Sequence, residues 1–177
     1  MKAFTKPARL HGGVAALIIG WTLFANCAAK AADVPLGKAD IVVVLKSQRV
    51  LELLRSGMVI KTYRIALGRH PVGPKKQLGD GKTPEGSYVI NGRTTRTPYH
   101  LALHISYPDA LDRARARAAG VAPGGGIFIH GMPGSYGPFN LSVGIKDWTD
   151  GCIAVGDVSI EEIWNAVDNG TPIEIKP

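Results

Sequence analysis

Ile127–Val155, IFIHGMPGSYGPFNLSVGIKDWTDGCIAV, carries two reactive side chains, His130 and Cys152. Each borders a short apolar run. Ile127-Phe128-Ile129 leads into His130, and Ile153-Ala154-Val155 follows Cys152. Runs of this kind predict two buried strands. Between them lies a loop rich in Gly, Pro, Ser and Asn. Strands that end in reactive groups beside a polar loop are a common way to hold a site. The pair is therefore read as a nucleophilic thiol with an imidazole base.

Upstream, Ile41–Leu45 is β-branched and predicts a buried strand. Val50–Leu54 and Met58–Leu67 follow after turns at 46–48 and 55–57 and complete a meander of antiparallel hairpins. Residues 68–86 hold seven Gly and Pro breakers after Gly68 and predict a long irregular loop. Its Gly-Lys-Thr does not open a helix after a strand, so a phosphate loop is set aside. Ser87–Ile90 predicts a strand closed by an Asn91-Gly92 tight turn. Tyr99–Tyr107 alternates as a further strand. Asp109 is a candidate cap for a helix over Ala110–Ala119, with Gly120 as its stop and Arg113, Arg115 and Arg117 as a solvated face.

Downstream, Ser159 with Glu162 predicts a capping box for a second helix, with Ile160, Ile163, Trp164 and Val167 as its apolar face. Ile173 and Ile175 fit a last edge strand. The sum is one mainly β domain with one or two short helices and no internal repeat.

The front of the chain is different. Lys2, Lys6 and Arg9 precede an uncharged apolar stretch from Val14 to Phe24, and Ala28–Ala32 supplies small residues for cleavage. This pattern predicts a secretory signal over residues 1–32 and a periplasmic or extracytoplasmic mature protein. The apolar stretch is shorter than the roughly 20 residues of a spanning helix. Asn26 stands before Cys27, where a lipoprotein signal needs a small residue. The chain carries net +7. Without residues 1–32 it has seventeen Lys and Arg against fourteen Asp and Glu, a net of +3. That balance gives no support to nucleic-acid binding and suits an anionic extracellular polymer.

After cleavage Cys152 is the one remaining thiol, so an internal disulfide is excluded. Free Cys is commonly a small buried hydrophobe. Asp150-Gly151-Cys152 sits at a glycine-marked turn instead, which favours reactivity. A thiol attacks as thiolate, and an imidazole can take its proton and return it to a leaving amine. Acyl transfer through a thioester on Cys152 follows, with His130 as base and then acid. Backbone N–H groups of Gly151 and Cys152 are candidates for the oxyanion hole. A zinc site needs three or four closely spaced ligands, and His70, His100 and His104 are scattered, so neither metal nor cofactor is expected. His104 falls within a strand and reads as a packed or hydrogen-bonded residue, with substrate contact as the alternative.

The order His-Gly, polar loop, Thr-Asp-Gly-Cys-Ile-Ala-Val resembles the L,D-transpeptidase catalytic (YkuD-like) family. Lys82-Thr-Pro-Glu-Gly-Ser-Tyr-Val-Ile90 is similar to that family's Thr-Pro-x-Gly-x-Phe/Tyr stretch. The similarity runs over Ile41–Ile175. It implies a β-sandwich catalytic domain over residues 40–176 that acts on peptidoglycan stem peptides outside the cytoplasmic membrane. Members attack the bond after the L-centre of diaminopimelate in a donor tetrapeptide, D-alanine leaves, and an amine takes the acyl group. The nucleophile falls on Cys152 and the base on His130. The Gly131 carbonyl matches the group that orients the imidazole, and Thr149 matches the Ser/Thr before the nucleophile.

Two positions depart from the family pattern. Asp150 stands where His is usual, and Ala154 where Arg or Asn is common. Asp150 is expected to turn outward or bond to backbone. Arg93 or Arg96 is the candidate to replace the missing cation; with His104 and Asp150 they complete the possible substrate contacts. The Asp-Trp-Thr-Asp-Gly-Cys wording resembles the YafK-like branch, which adds hydrolysis at peptidoglycan–protein links. A peptidoglycan-linked protein is thus a further possible partner, and a monomer is expected. Two alternatives stay open: a carboxypeptidase or amidase with water as acceptor, and a non-catalytic wall-binding module.

Overall fold

A computed structural model describes residues 36–134 and 146–177, together with Met1. The signal reading over residues 1–32 and most of the polar loop between His130 and Cys152 lie outside the described residues. The strands and helices below all belong to one compact unit, Val34–Pro177.

Three hairpin-linked strands open the domain: β1 (Ile41–Leu45), β2 (Val50–Arg55) and β3 (Met58–Arg64). β1 pairs antiparallel with β2, and β2 with β3, as the meander predicts. β4 (Gly86–Thr94), β5 (Ala102–Ile105), β6 (Phe128–His130), β7 (Ile153–Ala154) and β8 (Pro172–Lys176) complete one eight-stranded sheet among the described residues. Its order is β3-β2-β1-β8-β4-β5-β6-β7. The sheet curls until its two ends meet. Beyond β3, Ala66 exchanges backbone hydrogen bonds with Ala154 of β7, at 2.9 and 2.8 Å. The two halves thus share one core, in which Val42 and Leu53 belong to the same cluster as Ile105, Ile129 and Ile153. The mainly β fold with two helices is as expected, its two β layers being parts of one curled sheet.

The helices among the described residues are α1 (Ala110–Ala118) and α2 (Asp157–Ala166). Asp109 caps α1 through the Asp112 N–H (2.8 Å), and Asp112 returns the bond to the Asp109 N–H (3.2 Å). The three arginines of α1 are exposed. α2 buries Ile160, Ile163 and Ala166 against the core. Among the described residues, no helix is long and apolar enough to cross a membrane.

Three local expectations are corrected. Asn91-Gly92 is no tight turn: β4 runs through it, with a register shift between Ile90 and Gly92. Such a bulge bends the strand without ending it, and Gly92 makes room for the His104 Cβ. Ser159 does not cap α2. The helix starts at Asp157 behind Gly156, which supplies no side-chain cap. Finally, β8 is not at an edge. It lies between β1, to which it is parallel, and β4, to which it is antiparallel. Its Ile173 and Ile175 point into the core from mid-sheet.

Candidate active site

His130 ends β6, and Cys152 stands one residue before β7. These strands are parallel neighbours with Ile129 opposite Ile153 and His130 opposite Ala154. Successive side chains of a strand point to opposite faces. Ile129 and Ile153 are fully buried in the core. His130 takes the other face, and the alternation carried back from Ala154 gives Cys152 that same face. The two groups are one strand over and two residues apart along the strand.

The imidazole is tightly held. His130 is 3% exposed. Tyr99 stacks on it at 4.4 Å between ring centroids, and Trp148 meets it edge-on at 5.8 Å. Its Nδ1 lies 2.7 Å from the Gly131 carbonyl oxygen. A carbonyl can only accept, so Nδ1–H is the donor and Nε2 is left with its lone pair. Burial pushes the His130 pKa below the ordinary imidazole value, against the pull of the Gly131 carbonyl. At neutral pH the ring is a neutral base.

The thiol is half-buried. Its Sγ donates to the Gly126 carbonyl at 3.5 Å. Burial pushes its pKa up; the backbone of Phe128 opposes this, the Asp150 carboxylate adds to it, and the Lys75 ammonium opposes it. The resting pair is thus neutral thiol with neutral imidazole. A thiol in this state becomes a nucleophile only by giving its proton to a base.

The turn before the thiol is built by Thr149. Its Oγ1 donates to the Cys152 carbonyl (2.8 Å) and accepts the Gly151 N–H (3.1 Å). The Gly151 N–H is therefore committed, which removes it from the two oxyanion-hole candidates. Gly151 has φ +131°, and a Cβ there would sit 2.6 Å from the Lys82 carbonyl. A side chain does not fit, and an L-residue is strained at that angle.

The long loop 68–86 forms the wall beside this turn. Arg69 N–H donates to the Thr149 carbonyl, Thr149 N–H to the Leu67 carbonyl, and Gly68 N–H to Thr83 Oγ1. Asp150 turns outward, exposed, and pairs with Arg69. Ala154 is fully buried where the sheet closes on Ala66. The position of the usual Arg or Asn is thus occupied by packing in this chain.

The remaining candidates lie apart. Arg93 stacks over Trp164 at 4.0 Å and contacts the Trp164 carbonyl, so it is tied to α2. Arg96 is exposed in the connection that also carries Tyr99. His104 shares the sheet face of His130, because His104 pairs with Phe128 and Ala102 with His130. Its Nδ1–H donates to Asn91 Oδ1 (2.5 Å), its ring meets Phe128 edge-on at 4.8 Å, and burial lowers its pKa.

Sequence reasoning missed three contributors. Tyr99 and Trp148 clamp the imidazole. Asp147 accepts from Arg49 Nε (3.0 Å) and Nη2 (2.7 Å) and from the Leu67 N–H (2.9 Å), which fixes the approach to the thiol. Trp148 and Asp147 stand in the Asp-Trp-Thr-Asp-Gly-Cys run itself, but nothing in their spacing specifies these partners.

A buried imidazole with its proton on the far nitrogen thus ends one strand, and a thiol stands just before the parallel neighbouring strand, an arrangement with the groups that acyl transfer needs. Residues 38–175 match the family described as the L,D-transpeptidase catalytic domain (YkuD). The chain belongs to that family. It is 28% identical over 138 residues to YafK of Escherichia coli (strain K12), covering 75% of this chain and 48% of that protein. Among solved structures it is similar to the helical cell shape determining protein Pgp2 of Campylobacter jejuni, with TM-score 0.59 and 26% identity over 80% of this chain and 53% of that one. Bd1075 of Bdellovibrio bacteriovorus gives TM-score 0.55 and 25% identity over 81% and 49%. The chain spans about half the length of these relatives.

Proposed function

We propose that the chain is an exported L,D-transpeptidase that acylates Cys152 with peptidoglycan stem peptides, residues 1–32 serving as export signal and 40–176 as catalytic domain. The observation that supports this most is the His130 Nδ1–H bond to Gly131, which turns a basic Nε2 to the face that Cys152 shares. In the first half-reaction Nε2 takes the thiol proton while Sγ attacks the carbonyl at the L-centre of the donor. The Cys152 N–H stabilises the oxyanion. The C–N bond breaks, His130 returns the proton to the leaving D-alanine amine, and a thioester remains. In the second half-reaction Nε2 deprotonates an acceptor amine, which attacks the thioester and releases the thiol. Water in place of the amine gives a trimmed peptide by the same steps.

Muropeptide digestion by the wild type and by Cys152→Ala tests this. Crosslinked or exchanged products from the wild type alone support transfer. Trimmed tripeptide alone assigns the chain to hydrolysis. Muropeptides left unchanged by both proteins leave a wall-binding module. A carbapenem mass adduct on the wild type that Cys152→Ala lacks is the expected companion result.

A further inference from the structure

Acyl transfer by His130 uses the Gly131 carbonyl but not the other end of its peptide group. The Gly131–Met132 peptide is one planar unit. Its C=O accepts the His130 Nδ1–H at 2.7 Å, and its N–H donates to Asp157 Oδ1 at 2.8 Å. A carboxylate, a peptide and an imidazole thus form one chain of hydrogen bonds. Polarisation along such a chain strengthens each bond. A charged acceptor on the N–H makes the carbonyl a better acceptor for Nδ1–H.

Asp157 is free for this bond because of where it stands. It is the first residue of α2, whose cap, Gly156, offers no side chain. The positive end of the helix favours a carboxylate there. The side chain reaches across to the β6 turn. The contact is close: a Cβ on Gly131 would lie 2.7 Å from Asp157 Oδ1, 2.9 Å from the Tyr99 carbonyl and 3.0 Å from Ile160 Cγ2. Gly131 is required by this crowding. The Gly131 N–H, which belongs to the preceding peptide, donates to the Leu101 carbonyl at 3.1 Å, so the chain is also anchored just upstream of this peptide.

We propose that Asp157 is a positioning residue for His130: through the Gly131–Met132 peptide it holds the ring proton on Nδ1 and keeps Nε2 turned to Cys152. The catalytic consequence rests on the acyl-transfer reading, whereas the tautomer itself does not.

The test is imidazole ¹⁵N NMR of the full chain carrying Cys152→Ala, without substrate, in Asp157, Asp157→Asn and Asp157→Ala forms. With Asp157, His130 is expected as the Nδ1–H tautomer. Asp157→Ala is expected to show a mixture of both tautomers. Asp157→Asn retains an acceptor oxygen without the charge and is expected between the two. With Cys152 present, kcat is expected to fall 10- to 100-fold in Asp157→Ala at unchanged KM, with partial rescue in Asp157→Asn. Identical ring shifts in all folded forms would overturn the proposal. If Asp157→Ala does not fold, Asp157→Asn decides: wild-type shifts and kcat overturn it, and an intermediate tautomer mixture sustains it. If the wild type turns over no muropeptide while the Asp157 variants still show the tautomer change, the result counts against the acyl-transfer reading alone.

Discussion

Burial acts on His130 and Cys152 in opposite senses, and this determines how the site responds to pH. The lowered His130 pKa keeps the ring neutral to more acidic conditions than a free imidazole. The acidic limb of kcat/KM is therefore expected below the ordinary value of about 6.5. The raised Cys152 pKa predicts that iodoacetamide labelling, which follows the thiolate, climbs only above the ordinary thiol range. His130→Ala is expected to lower turnover by about 10²- to 10⁴-fold, the usual worth of a positioned base. Gly151→Ala meets the Lys82 carbonyl and a φ of +131°. A loss of about 2 kcal/mol is expected for the strain alone, read as a lowered urea midpoint. At this scale the motifs pointed to Cys152, His130, Gly131 and Thr149, which the fold places on or next to β6 and β7. They could not reveal that Thr149 takes the Gly151 N–H, because that depends on a bond length rather than on spacing. Tyr99 was invisible for the same reason: it reaches the imidazole from a connection 31 residues upstream.

At the scale of elements, the loop 68–86 is organised by one buried cation. Lys46, at the end of β1, is 2% exposed and donates to the Gly73 carbonyl (2.8 Å), the Thr83 carbonyl (3.0 Å) and Glu85 Oε1 (2.7 Å). Lys75 and Asp80 form a second buried pair within the loop, at 2.8 Å. Removing one partner of a buried pair costs about 3 kcal/mol or more. Lys46→Met is expected to lose roughly that much in urea unfolding and to speed hydrogen exchange at Gly68 and His70, next to the thiol turn. If exchange there is unchanged, the loop does not depend on Lys46. Gly and Pro content announced a loop but not its order, since the lysine that ties it comes from another element. The strands from β1 to β3 were legible because β-branched runs and turns coincide. β8 was misplaced because five residues near a terminus do not say which neighbours they pair with. The start of α2 was misplaced because Ser159 and Glu162 fit a capping box that the chain does not use.

For the whole molecule, closure of the sheet at Ala66 and Ala154 joins two halves around one core. Unfolding is therefore expected as one transition, seen alike by tryptophan fluorescence and far-ultraviolet circular dichroism. Ile163, fully buried where α2 meets the sheet, is the residue for testing this. Ile163→Ala is expected to lose about 3 kcal/mol and to shift both signals together. Separate shifts would mean that the two halves unfold independently. The fold class was legible because alternation and turn spacing run through the chain. Closure was not, since it rests on two alanines without distinctive chemistry. Covalent catalysis through Cys152 is open to direct observation by intact-protein mass spectrometry after a brief incubation with a tetrapeptide donor. An adduct of the donor minus D-alanine is expected on Cys152 and is expected to be absent from Cys152→Ala. Donor turnover without that adduct, undiminished in Cys152→Ala, would contradict a thioester mechanism.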